Sequence, residues 1–120
     1  KLLDERGVQL LPGTDSAYGF PALREVELYV EAGLSPARAL ALATLEAERY
    51  LGRDAWLGSI EIGKRADFFL IPNDPLEDIS NIREIRLVMK DGVAYLPAEI
   101  HRALGIQPFA EPVTLPGATQ

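Results

Sequence analysis

One carboxylate in this chain stands where chemistry could use it. In Leu11-Pro12-Gly13-Thr14-Asp15-Ser16, a short apolar run, Val8-Gln9-Leu10-Leu11, leads through a proline and a glycine to Asp15. A polar, helix-like piece from Lys1 to Arg6 and a break at Gly7 come before it. Helix end, glycine, apolar strand, then Gly-Thr-Asp is the order of an α/β unit whose loop lies at the strand's carboxyl end. In α/β sheets and barrels that end carries the reactive groups. A carboxylate held there can accept and return a proton. Aspartate and serine after a strand also cap helices and form turns, so a purely structural role for Asp15 stands beside the chemical one.

Few other residues can join Asp15. The chain has no cysteine and a single histidine, His101. A protein zinc site assembles three or four ligands, mostly His and Cys, and this chain cannot build one from those types. His101 lies in Pro97-Ala98-Glu99-Ile100-His101-Arg102-Ala103-Leu104 and reads as a surface residue on a short helix. Tyr18 and Phe20 flank Gly19 in the loop after Asp15. They either line a substrate mouth or pack beneath the loop.

The 120 residues suffice for one ordinary domain, and 48% hydrophobic with 25% charged residues fits a globular protein. Eighteen acidic against twelve basic residues give a net charge of −6, which disfavours nucleic acid and anionic membranes as partners. No apolar run approaches the ~20 residues of a membrane span. The N-terminus lacks the layout of a signal peptide, and with no initiator Met the natural start is expected upstream.

The elements that would position Asp15 follow from periodicity. Leu23, Val26 and Val30 recur at helical spacing, with Arg24, Glu25, Glu27 and Glu31 on the wet side, so a helix is predicted over Ala22–Ala32, stopped by Gly33. Ser35-Pro36 opens a second helix, serine as the cap and proline at the first helical position. It runs through strong helix formers to Tyr50 and is apolar nearly all round up to Leu45, which predicts burial on more than one side. The period then changes. Gly58-Ser59-Ile60-Glu61-Ile62-Gly63-Lys64 alternates, Asp67–Ile71 reads as a buried strand, and Ile85–Lys90 and Val93–Tyr95 flank Asp91-Gly92, a strong hairpin signal. The tail from Pro108 carries prolines at 108, 112 and 116 and should wrap extended over the surface or be disordered. One strand before the helices cannot make a sheet, so the chain reads as the C-terminal piece of a larger fold.

Gly13-Thr14-Asp15-Ser16, the stretch Glu27–Pro36 and Ala39-Leu40-Ala41-Leu42-Ala43-Thr44 together resemble the end of the barrel in metal-dependent amidohydrolases. Leu57–Ile71, with its G-x-I-x-x-G-K-x-A-D pattern, resembles their return strands, and Val88-Met89-Lys90-Asp91-Gly92 their closing hairpin. The likeness covers residues 8–96 and is nearest to the imidazolonepropionase and Xaa-Pro dipeptidase-like branch. It implies an α/β fragment: the last strand and helices of a (β/α)8 TIM-type barrel, plus the C-terminal strands of a small β-sandwich. Residues 1–51 would be the barrel end, 52–96 the sandwich part, and 97–120 a short helix and proline-rich tail. A whole barrel needs ~250 residues.

The resemblance also implies a role for Asp15. The last metal ligand of such enzymes is the aspartate after the eighth strand, which maps onto Asp15; the histidine and other ligands have no counterpart here. Asp15 would be metal ligand and general base towards a metal-activated water, with zinc as the divalent ion of the intact enzyme and no metal expected in this piece alone. Thr14 and Ser16 would orient Asp15, or satisfy their own loop, and with Tyr18 they would lie near the substrate. Lys64-Arg65 is expected in a solvated turn, Asp67 as a structural carboxylate bonding a turn, and Asp74, Glu77 and Asp78 as a hydrated acidic loop. The expected substrate is a small or dipeptide-like molecule with a C–N bond to hydrolyse. Unpaired strand groups and exposed apolar surface predict a homo-oligomer, or pairing with the N-terminal remainder of the barrel. The rival reading is a small α+β binding module without catalysis.

Overall fold

The computed structural model describes residues 1–15 and 21–114. It divides into two compact units, Lys1–Arg65 with Asp74–Ser80, and Ala66–Asn73 with Asn81–Gln120.

The first unit is helical. After the short α1 (Leu2–Glu5) and an irregular run from Val8 to Asp15 come α2 (Pro21–Glu31) and α3 (Pro36–Ala41). One π-helical segment, Leu42–Glu46, then leads into α4 (Ala47–Tyr50). Both predicted helices are present, with their predicted punctuation. At the end of α2, Gly33 adopts φ +94°, the Gly33 N–H bonds Val30 O at 2.9 Å, and the Leu34 N–H bonds Tyr29 O at 3.1 Å. That reciprocal pair closes the helix and needs the left-handed residue that glycine supplies. Ser35 caps α3, its hydroxyl accepting from the Arg38 N–H at 3.2 Å.

Sequence did not signal the π turn. Within it the Thr44 hydroxyl donates back to Leu40 O at 2.7 Å, a bond of the kind that perturbs a helical ladder. Val26, Leu34, Ala39 and Leu42 form the buried apolar centre of this unit. The Arg38 guanidinium bonds Asp4 at 2.8 Å on one side and Glu46 on the other, which ties α1 to α3 and to the π turn.

The second unit is a three-stranded antiparallel meander in the order β1 (Phe68–Leu70), β2 (Leu87–Lys90), β3 (Val93–Tyr95). Register is set by the hairpin: Lys90 pairs with Val93 across Asp91-Gly92, both at positive φ, 51° and 76°. That is the backbone the Asp-Gly turn demands. A 3-10 segment, Ile79–Arg83, precedes β2, and α5 (Pro97–Ala103) follows β3. Ile82, Leu87 and Ala98 are buried here.

Three expectations are corrected. Val8–Leu11 has no regular secondary structure and belongs to no strand among the described residues, and Val8 is 46% exposed. Gly58–Lys64 likewise forms turns in place of a strand, leaving Ile60 84% and Ile62 108% exposed. A strand exists only through a hydrogen-bonded neighbour, and among the described residues neither run has one. Asp67–Ile71 does contain a strand, but β1 pairs on one side only, with β2, and Phe69 and Leu70 are exposed. A strand with one neighbour is an edge, not the buried element expected.

Candidate functional site

Asp15 ends an irregular run, Val8–Asp15, that is held at two places. At its start the Val8 N–H bonds Leu3 O at 3.0 Å, just past Gly7. Further on, the Tyr29 hydroxyl, one helix away on α2, donates to Leu11 O at 3.2 Å. Proline follows at once, with its φ locked by the ring, and the residue before a proline is itself confined to extended conformations. The Leu11-Pro12 segment is thus stiff by covalent structure as well as tethered. Beyond it Gly13, Thr14 and Asp15 are exposed. Among the described residues Asp15 is thus a surface residue of the first unit.

A methyl group built on Gly13 meets nothing within 4 Å. No close approach among the described residues therefore requires glycine there. Ser16 and Tyr18, expected near the substrate, lie outside the described residues, as does Phe20. Tyr29 was not singled out from the sequence. A tyrosine within a helix carries no signal in sequence of a partner eighteen residues away, and only the tertiary contact shows what its hydroxyl reaches.

The remaining polar candidates sort by their partners. Asp67 accepts from Lys90 Nζ at 2.5 Å and from the Asp91 N–H at 2.9 Å, so it clasps the hairpin turn, the structural role expected of it. Lys64 departs from the expected solvated turn. Its side chain is only 12% exposed, donating to Ser59 Oγ at 2.6 Å and pairing with Glu61 at 3.1 Å, because the turn folds back over it. Those neighbours, the Ser59 hydroxyl first and then Lys64, hold the Glu61 carboxyl below its ordinary range.

The acidic loop is ordered by its own backbone. Asp74 accepts the Leu76 N–H at 2.8 Å, and Asp78 accepts both the hydroxyl and the N–H of Ser80 at 2.8 and 2.9 Å, which depresses the Asp78 carboxyl. His101 is half-buried on α5 with its ring edge-on to Phe109, centroids 5.7 Å apart. It is a packing residue where a plain surface histidine was expected.

Among the described residues no group of three or more His, Cys, Asp or Glu could hold a metal ion. The described residues therefore do not form a metal site by themselves; Asp15 offers a single anionic oxygen donor. No helix among them is long and apolar enough to cross a membrane.

The profile of the Amidohydrolase family matches residues 1–94. The chain belongs to the amidohydrolase family. Ochratoxinase from Aspergillus niger is 33% identical over 107 residues, which are 88% of this chain and 22% of that protein. The solved ochratoxinase structure superposes with a TM-score of 0.69, covering 94% of this chain and 26% of the other. Imidazolonepropionase from Symbiobacterium thermophilum is 38% identical over 60 residues, 50% of this chain and 14% of its own. The crystal structure of a Xaa-Pro dipeptidase with bound methionine in its active site matches at a TM-score of 0.72 and 36% identity, over 78% of this chain and 23% of that one. The family and branch that the Gly13–Ser16 and Leu57–Ile71 motifs resembled are thereby established. This amidohydrolase chain spans about a fifth of the length of the curated relatives it matches, 22% for ochratoxinase.

Proposed function

We propose that this chain is the C-terminal part of a hydrolase acting on C–N bonds, with Asp15 as a ligand of its divalent metal and as the proton-transferring carboxylate. In this reading the run Val8–Leu11, unpaired among the described residues, would become the last barrel strand beside the upstream strands of the intact enzyme, α2 to α4 would cover it, and the meander would belong to a small β-sandwich. The observation that carries it is the exposed Asp15, four residues beyond the Leu11 carbonyl that Tyr29 tethers, inside a segment that matches the amidohydrolase family over residues 1–94. The names of the relatives agree in chemistry. A Xaa-Pro dipeptidase breaks a peptide C–N bond, and an amide, cyclic amide or dipeptide is accordingly the substrate class proposed here.

Asp15 would be this chain's ligand to a divalent ion, for which we propose zinc; such an ion would supply a water of lowered pKa and polarise the scissile carbonyl. The Asp15 carboxylate would accept the proton of the attacking water and return it to the leaving nitrogen. The run from Val8 to Pro12 keeps that carboxylate from drifting, since misplacement of a reacting group costs rate steeply.

The test is Asp15→Asn in the intact enzyme that carries this chain, with bound zinc and turnover of a dipeptide and N-acyl amino acid panel as readouts. Turnover is expected to fall on the order of a hundredfold or more, with the fold retained, because asparagine cannot accept the proton. Near-normal turnover would return Asp15 to a turn or capping role and favour the binding-module reading.

A further inference from the structure

We propose that the π turn over Leu42–Glu46 is a register clamp operated from α1. The Arg38 guanidinium, oriented by Asp4, holds Glu46 on its own face of the helix, and the extra residue of the π turn is what brings Glu46 there. Release of either carboxylate lets the run slide back to an ordinary α-helical ladder. The inference concerns the helical unit and does not rest on the role proposed for Asp15.

An unbroken α-helix would place Glu46 elsewhere. From Pro36 to Tyr50 the chain is one continuous helical run, and Ala41 and Ala47, on either side of the π turn, both have φ −61°. Glu46 follows Arg38 by eight residues. In an α-helix that separation is about 80° round the axis and about 12 Å along it. A π turn takes in one more residue, so Glu46 lands where a seventh residue would lie, about 20° from Arg38 and about 10 Å along. That is the same face, and there Arg38 Nη1 pairs with a Glu46 oxygen.

The guanidinium is aimed by its other partner. One Asp4 oxygen takes the edge formed by Nε and Nη2, at 2.8 Å from each nitrogen. A planar fork held along one edge points its remaining nitrogen in a fixed direction, and here Nη1 meets Glu46. Asp4 is thirty-four residues from Arg38 in sequence, so a tertiary contact selects the register of a local ladder. The turn is also seated against Gly58. A methyl group there would lie 2.8 Å from Leu45 Cα and 3.1 Å from Glu48 Cβ, and a change of register would turn both residues out of that seat. The Thr44 hydroxyl bond to Leu40 O spans four residues. An ordinary α-helix offers that spacing too, so this bond does not call for the extra residue.

The test is Glu46→Ala in the intact protein that carries this chain, read by hydrogen exchange over residues 42–50 and by the crystal structure of the variant. Exchange there is expected to speed up roughly tenfold, the effect of one hydrogen bond to a charged group on a local opening, with α2 unchanged. The crystal structure should show residues 42–46 in an α-helical ladder. Asp4→Ala should speed the same amides, because the guanidinium loses its aim. Glu46→Gln keeps an acceptor oxygen and should keep the π turn, as should Thr44→Val. An unchanged π turn with unchanged exchange in either Glu46→Ala or Asp4→Ala would overturn the inference. So would equal acceleration in α2, which marks general loosening, or loss of the π turn in Thr44→Val or Glu46→Gln. None of these readouts is turnover, so the clamp and the role of Asp15 stand or fall separately.

Discussion

The helical unit and the sheet unit hold themselves together by different means. In the helical unit the backbone groups of α2, α3 and α4 find partners inside their own segments, and the ends are closed by Ser35 and by the motif at Gly33. In the sheet unit every strand needs another: β1 pairs with β2 and β2 with β3, and among the described residues no further strand joins either edge. The runs Val8–Leu11 and Ser59–Ile62 make the same point within the first unit. They have strand-like apolar residues and no partner, and they are not strands. A helix is a local solution to backbone hydrogen bonding, whereas a strand is a shared one. Asp15 follows one of these unpaired runs, whose Leu11 carbonyl accepts the Tyr29 hydroxyl at 3.2 Å.

The contrast is broken or sharpened most strongly at Gly58. It has φ +87°, and a methyl group added there would lie 2.8 Å from Leu45 Cα. Because the obstacle is backbone of the well-closed helical run, it cannot yield cheaply. Gly58→Ala is expected to destabilise the protein by about 2–4 kcal/mol, read as the shift in denaturant midpoint. Wild-type stability would mean that the helical run is softer than its caps suggest.

Asp67→Ala comes next. It removes the clasp on Lys90 and on the Asp91 N–H, and is expected to cost about 1–2 kcal/mol. Hydrogen exchange should speed up in β2 and β3 and leave α2 and α3 unaffected. Uniform acceleration would show that the two units share one unfolding event.

Ser35→Ala is the matching test on the helical side. Loss of the bond from the Arg38 N–H should cost about 1 kcal/mol, with fraying confined to the start of α3. A larger effect spreading to α2 would argue that the cap also sets how α2 meets α3.

The smallest effect is one of pH. The Ser80 hydroxyl, and then its N–H, hold the Asp78 carboxyl below its ordinary range. Its contribution is thus present above the ordinary aspartate pKa and is lost as pH falls through the depressed value. An NMR titration should show Asp78 protonating at lower pH than an unstructured aspartate, and Ser80→Ala should raise it. A midpoint already at the unstructured value would remove the bond from solution.

Much of the fold was legible because its signals are local. Ser35-Pro36, Gly33 and Asp91-Gly92 each demand a backbone conformation from neighbours within a few residues, and each is found where the sequence put it. Val26 and Leu42 followed from helical spacing. The burial of Lys64 did not, because it depends on a turn folding over the side chain, and composition marked that stretch only as charged. Nor did the exposure of Ile60, Phe69 and Leu70, since alternation and apolarity say that a strand wants a partner, not that one is present.

The sequence by itself determined the family, the helices with their stops, the hairpin turn, and Asp15 as the residue to examine. Each of these depends on residue identities at short, fixed spacings. Only the tertiary structure decided which strand-like runs become strands, that Asp67 clasps the hairpin, and that Tyr29 reaches Leu11. Those outcomes turn on whether groups far apart in sequence come within ~3 Å of one another, and a linear pattern carries no such distance.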